Sequence, residues 1–310
     1  MSNTIKSAAV TGATGAIGRA LVNELIKNGI SVLVFARKSS RAERLERLDG
    51  VKVVYTDLSQ LENVDVNEHC DAFFHLGWSG TRGDERLDSE QQNLNIEYTL
   101  SSVRLAKRLG CRTYVGVGSQ AEYGRVDSGI KLSPELEAHP ETPYGAAKLN
   151  AMLKAKDLCG KNGIRFCWCR VLSSYGIGDN PNNFIMYLIN RCIKGEECKL
   201  TPCEHKWDYI NTEDLAKGLF LISKYGKDKE IYVIGSGVAR DMKDYVYAVF
   251  NAVGNSNAKI SFGAKPYYPN QVMYLCADIS KLTRDTGFVP EISFEEGIIK
   301  TVNYYKQLSE

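Results

Sequence analysis

The stretch Ser7-Ala8-Ala9-Val10-Thr11-Gly12-Ala13-Thr14-Gly15-Ala16-Ile17-Gly18 decides the fold. Its first four residues are small and mostly apolar and read as a short strand. From Gly18 to Asn28, Leu21, Leu25 and Ile26 recur at helical spacing, and the run stops at Gly29. Between strand and helix the glycines fall at G-x-x-G-x-x-G. In a strand–loop–helix each has a physical task. Gly12 permits the tight turn, Gly15 keeps side-chain bulk off an approaching pyrophosphate, and Gly18 lets the helix pack closely on the strand. The helix start adds unpaired N–H groups and the positive end of its dipole. Gly12, Thr14, Gly15, Ala16, Ile17 and Gly18 are therefore expected to cradle the phosphates of a dinucleotide.

Outward from this loop, Ser31 to Phe35, Val51 to Tyr55, Asp71 to Leu76, Thr113 to Val117 and Arg165 to Val171 read as strands. Helices are expected over Arg41 to Leu48, Ser89 to Leu109 and Tyr144 to Cys159. The alternation predicts an α/β fold, a Rossmann-type doubly wound parallel sheet covered on both faces, with ligands at the carboxyl ends of its strands. Past Val171 the pattern loosens. A loop over Ser173 to Pro181 precedes a helix over Phe184 to Ile193 and a strand over Lys206 to Ile210. A helix over Thr212 to Ser223 opens with a capping-box-like start at Thr212. A strand over Ile231 to Ile234 follows, then scattered short elements from Met242 to Gln307. The expected division is a dinucleotide-binding domain over 1–171, to which 206–235 returns. A smaller C-terminal substrate-binding α/β domain takes 172–205 and 236–310.

The chain has 310 residues, with 39 Lys plus Arg against 37 Asp plus Glu and a net charge of +2. No basic excess or stripe marks a nucleic-acid binder, so a small-molecule partner is expected. The nine cysteines include no C-x-x-C pair and read as reduced core thiols of a cytoplasmic protein. No apolar run reaches the roughly 18 residues of a membrane span, and Met1 to Ser7 is too polar for a signal peptide.

Candidate chemistry centres on Tyr144-Gly145-Ala146-Ala147-Lys148. The i,i+4 spacing stacks both side chains on one helix face. A free phenol is too weak an acid to serve as base at neutral pH, and an adjacent ammonium is expected to lower its pKa. Ser119, just after the fifth strand, is placed to hydrogen-bond the substrate oxygen that Tyr144 protonates.

Taken together, the glycine loop, Ser119 and the Tyr-x-x-x-Lys resemble the extended short-chain dehydrogenase/reductase family of nucleotide-sugar epimerases, dehydratases and reductases. Ser119, Tyr144 and Lys148 correspond to its catalytic triad, and Lys148 to the residue that also holds the nicotinamide ribose. The resemblance extends over nearly the whole chain, through Arg170-Val171-Leu172 with Tyr175-Gly176, Trp207-Asp208-Tyr209-Ile210 with Asp214, and Ala277-Asp278-Ile279-Ser280-Lys281 with Gly287-Phe288-Val289-Pro290. It implies cofactor contacts at Asp57, Leu58, Leu76, Gly77, Trp78, Asn95 and Leu172. Substrate contacts are implied at Ser119, Gln120, Tyr144, Ser173 and Asn183. It also implies a homodimer through the helices at 89–109 and 144–159.

The second strand ends Val34-Phe35-Ala36-Arg37-Lys38, with no acid to receive the ribose hydroxyls. Arg37 and Lys38 suit an anionic 2′-phosphate, which favours NADP(H) over NAD(H). Dehydratases of the family carry acids where Gln120 and Ala121 stand, and neither of these exchanges protons. The expected activity is therefore hydride transfer at a carbinol or ketone, C4 of a nucleotide-activated sugar. An NADPH-dependent 4-ketoreductase is favoured, with a 4-epimerase holding NAD as the alternative. A non-catalytic NADP(H)-binding regulator is the third reading. The family's arginine for the substrate pyrophosphate is missing before the closing segment, and Lys265, Lys206 or Arg191 are the candidates to replace it.

Overall fold

A computed structural model describes residues 4–40, 42–269 and 271–308. The chain begins with β1 (Ser7–Thr11), α1 (Ala16–Lys27), β2 (Ser31–Ala36), α2 (Glu43–Glu46), β3 (Val51–Tyr55) and β4 (Ala72–His75). It continues through α3 (Ser89–Arg108), β5 (Thr113–Ser119), α4 (Pro143–Lys161), β6 (Arg165–Val171), β7 (Ser173–Tyr175) and α5 (Phe184–Ile193). Then come β8 (Glu197–Lys199), β9 (Lys206–Trp207), β10 (Tyr209–Asn211), α6 (Thr212–Tyr225), β11 (Glu230–Ile234), β12 (Arg240–Asp241) and α7 (Met242–Val253). The last elements are β13 (Lys259–Ser261), α8 (Ser280–Thr286) and α9 (Phe294–Gln307).

Seven parallel strands form the central sheet in the order β3-β2-β1-β4-β5-β6-β11. The chain builds outward from β1 to β3, then returns to the other side of β1 with β4. That reversal leaves a crevice at the carboxyl ends of β1 and β4.

Strand alternation feeds two cores. Ala8, Val10, Phe74, Cys167 and Cys169 face one side with Leu21 and Leu25 of α1 and Leu215 and Leu219 of α6. Ala9, Phe73, Tyr114, Phe166 and Trp168 face the other with α3 and α4. On that face Phe35, Phe73, Tyr114, Phe166 and Trp168 form a row of rings, with neighbouring centroids 5.7–6.3 Å apart. A third apolar cluster joins α5 to α7 and α9.

The N-terminal strands lie where the sequence places them, within two residues. Four expectations change. The helix expected over 41–48, whose first residue Arg41 lies outside the described residues, shrinks to α2, because among 42–48 only Ala42 and Leu45 are buried and one apolar pair is too little to extend a helix. The strand expected over Lys206 to Ile210 is broken at Asp208. That carboxylate is turned inward, accepting Ser236 N at 2.8 Å, Ser236 Oγ at 2.6 Å, and Gly237 N and Ala277 N at 3.0 Å each. The cap of α6 is Asn211, whose Oδ1 accepts Glu213 N at 2.8 Å, not Thr212. Asp214 instead receives the Glu291 and Ile292 N–H groups. Met242 to Gln307 is also more regular than expected, holding the 12-residue α7 and the 14-residue α9.

Candidate active site

A cleft of about 880 Å³ opens at the β1–β4 crevice. Gly12 has φ +74, and an added Cβ would meet Gly77 N and Leu76 C at 2.7 Å. At Gly18 an added Cβ would collide with the Gly12 carbonyl oxygen. Gly15 differs, for its added Cβ meets only the Gly12 oxygen at 3.5 Å. α1 starts after Gly15 with no side-chain cap, which leaves its first N–H groups for a ligand. An open cradle at an uncapped helix start fits a dinucleotide pyrophosphate. Ala36, Arg37, Asp57 and Leu58 line the same cleft beyond it. Lys38 does not: it starts an exposed 3₁₀ turn.

Past the cradle the cleft runs by Leu76, Gly77 and Trp78 to Tyr144 and Lys148. Pro143 at the start of α4 and the Thr142 cap, which accepts Gly145 N at 3.1 Å, place Tyr144 in the first turn. Lys148 is one turn on and fully enclosed. Its ammonium donates to the Val117 carbonyl at 2.7 Å and lies 3.7 Å from the centroid of the Trp78 ring. Burial brings its pKa down to about 7, against the pull of the Glu122 carboxylate. Burial also raises the Tyr144 phenol above its ordinary value, while a hydrogen bond with the Ser119 side chain and the charge of Arg86 act to lower it. The ammonium, 5.9 Å from the Tyr144 ring centroid, is engaged elsewhere, and desolvation dominates the phenol.

Ser119 ends β5 and caps the turn Gln120–Glu122, accepting Ala121 N at 3.2 Å. Beneath it Glu122 is completely buried. Its carboxylate accepts Ser119 N at 2.9 Å, Trp168 Nε1 at 3.0 Å and Arg170 Nε at 2.8 Å. Sequence reasoning gave Glu122 and Arg170 no joint role, although two opposite charges sitting in otherwise buried runs were a signal for the pair. Arg82, Arg86 and Asp179 were missed as well, since loop residues carry no periodicity. All three line the cleft. Asp179 Oδ1 accepts Asn183 Nδ2 at 2.8 Å, and its Oδ2 is buried without a partner among the described residues.

Leu172 and Asn183 line the cleft as expected. Ser173 does not: its Oγ accepts Trp207 Nε1 at 2.8 Å, and alternation along β7 turns Ser174 to the cleft instead. Ser119 and Gln120 are also outside the lining. Asn95 is buried in α3 and fixes the loop after Trp78, accepting Ser79 N at 2.8 Å and donating to Ser79 O at 2.9 Å. The cations proposed to replace the missing arginine are occupied elsewhere. Lys206 pairs with Asp241 at 3.2 Å, Arg191 pairs with Glu196 at 3.2 Å, and Lys265 faces the Tyr187 ring.

A doubly wound sheet with a glycine cradle and a Ser–Tyr–Lys cluster at its switch point defines a dinucleotide-dependent enzyme. Residues 8–235 match the NAD dependent epimerase/dehydratase family, and the chain belongs to that family. CDP-abequose synthase of Salmonella muenchen is 24% identical, over 96% of this chain and 97% of that relative. The dTDP-glucose 4,6-dehydratase of Escherichia coli is also 24% identical, over 96% and 92%. Among solved structures, a UDP-glucose 4-epimerase of Thermotoga maritima superposes with a TM-score of 0.86 at 23% identity, covering 98% of this chain and 100% of that one. Among the described residues no helix is long and apolar enough to cross a membrane.

Proposed function

We propose that this enzyme is an NADPH-dependent 4-ketoreductase of a nucleotide-activated sugar, acting in the cytoplasm as a homodimer. The observation that carries the cofactor choice is the end of β2. There Ala36 and Arg37, with no carboxylate between them, line the cleft. Arg37 suits a 2′-phosphate, and an acid would repel it. The names of the relatives support a nucleoside-diphosphate sugar as substrate.

Gly12, Thr14, Gly15, Ala16, Ile17 and Gly18 would hold the pyrophosphate, with Asp57, Leu58, Leu76, Gly77, Trp78 and Leu172 along the rest of the cofactor. When bound, the dinucleotide supplies the hydride. Tyr144, kept protonated by its burial, gives its proton to the ketone oxygen. Ser119 hydrogen-bonds that oxygen and holds it toward the phenol. Asp179 offers an unpaired carboxylate oxygen to a sugar hydroxyl, with Asn183 beside it. Gln120 and Ala121 cannot carry the proton transfers of a dehydration. The unit around the third apolar cluster receives the sugar nucleotide.

The test is NADPH oxidation with nucleoside-diphosphate 4-keto sugars, together with identification of any dinucleotide carried through purification. Retained NAD with sugar interconversion establishes the second reading, a 4-epimerase using the same Ser119, Tyr144 and Lys148. Dinucleotide binding without turnover, unchanged by Tyr144→Phe, establishes a regulatory protein.

A further inference from the structure

We propose that Arg86 is a positioning residue of this site: its guanidinium, stacked on the Tyr144 ring, stabilises the negative charge that grows on the phenol oxygen as Tyr144 gives up its proton. The inference rests on the reading of Tyr144 as the acid–base group, and it adds Arg86 to the Tyr-x-x-x-Lys pair.

The geometry separates the two cations. Arg86 Cζ lies 4.3 Å from the Tyr144 ring centroid, and Lys148 Nζ lies 5.9 Å away. The ammonium is held between the Val117 carbonyl and the face of Trp78. Arg86 makes no ion pair with a carboxylate of the described residues, so its charge is free to act on the phenol. A guanidinium also keeps its charge throughout the working pH range, whereas burial makes that of Lys148 fade near neutrality.

The loop that carries Arg86 is fixed by one buried side chain. Gln92 of α3 donates from Nε2 to the Gly80 carbonyl at 2.6 Å and the Glu85 carbonyl at 2.9 Å. Its Oε1 accepts Trp78 Nε1 at 2.8 Å. A single amide therefore sets both Trp78 and the backbone next to Arg86.

The groups that face Tyr144 come from five segments of the chain. Ser119 at the end of β5 hydrogen-bonds the phenol, and Glu122 in the following turn opposes its ionisation. Lys148 is on α4, and Arg86 is in the turn before α3. The edge of Trp78 closes the remaining side, with ring centroids 6.1 Å apart. Ser119 and Arg86 are the groups that favour the phenolate.

The experiment is an ultraviolet titration of Tyr144 in the enzyme with bound dinucleotide, taken as the difference from Tyr144→Phe. It is run in the Arg86→Gln and Arg86→Lys backgrounds beside the pH–rate profile. Arg86→Gln should raise the phenol pKa by roughly one unit or more, the scale of an opposite charge at this range. Arg86→Lys should restore part of the shift, with dinucleotide affinity unchanged. A phenol that titrates identically with and without Arg86 overturns the proposal. If no keto sugar is turned over, the proposed function fails, yet the titration still reads the Arg86–Tyr144 coupling directly.

Discussion

Glu122 and Arg170 form an ion pair at 2.8 Å with both side chains closed off from solvent, directly under the serine that ends β5. Glu122 also takes the Ser119 N–H and the Trp168 indole N–H, so its carboxylate has three donors. The aromatic row across the sheet thus ends, at Trp168, on the group that shapes the Ser119 turn. Opposite charges beneath Ser119 fix its backbone without adding net charge to the cleft.

Glu122→Gln removes the charge paired with buried Arg170. Breaking one partner of a buried pair costs about 3–5 kcal/mol. Denaturant melts should show a loss on that scale, and a loss under about 1 kcal/mol would mean that the pair is not structurally coupled.

Tyr144→Phe keeps the ring against Arg86 and Trp78 and deletes the proton. Turnover should fall by at least ~10²-fold while dinucleotide affinity is retained. Equal steady-state rates would remove Tyr144 from the chemistry.

Arg37→Ala should weaken NADPH more than NADH, since only the former carries the 2′-phosphate that a guanidinium pairs. Paired fluorescence titrations check this, and parallel losses for both cofactors contradict it.

Gly15→Ala separates folding from binding. Gly15 has φ −73, which alanine adopts freely, and its added Cβ meets nothing nearer than 3.5 Å. The melting temperature of the free protein should hold while dinucleotide binding drops. Gly18→Ala, which drives a methyl onto the Gly12 carbonyl, should lower both.

Lys148 gives the free protein a pH dependence of known sign. Its folded pKa of about 7 lies below the ordinary 10.5, so between these values the unfolded chain holds a proton that the folded one lacks. Raising the pH through that window therefore favours folding. Between pH 7 and 8, below the range in which the thiols of the unfolded chain ionise, stability should rise, and Lys148→Met should flatten the rise. An identical slope in the variant would show that other groups set it.

What was legible in the sequence was local. The three glycines and the Tyr144–Lys148 spacing each encode their geometry within a few residues. The groups that escaped are assembled by distant contacts. Arg86 reaches Tyr144 because Gln92 holds its loop, and Glu122 meets Arg170 across adjacent strands. Of Ser173 and Ser174 only the second lines the cleft, because alternation along β7 keeps it on the side of Leu172. The helices α7 and α9 were hidden by Tyr245, Val246, Val249, Tyr304 and Tyr305, residue types that read as strand formers until packing overrides propensity.

The third apolar cluster carries a practical corollary for protein engineering. It is stitched from two separated pieces of chain, with Ile185, Leu188 and Ile189 from one interleaved with Tyr245, Val249, Ile298 and Val302 from the other. A chimera meant to import another enzyme's counterpart of this unit must therefore exchange both pieces together. A graft of either alone would face a foreign mate across a close-packed seam.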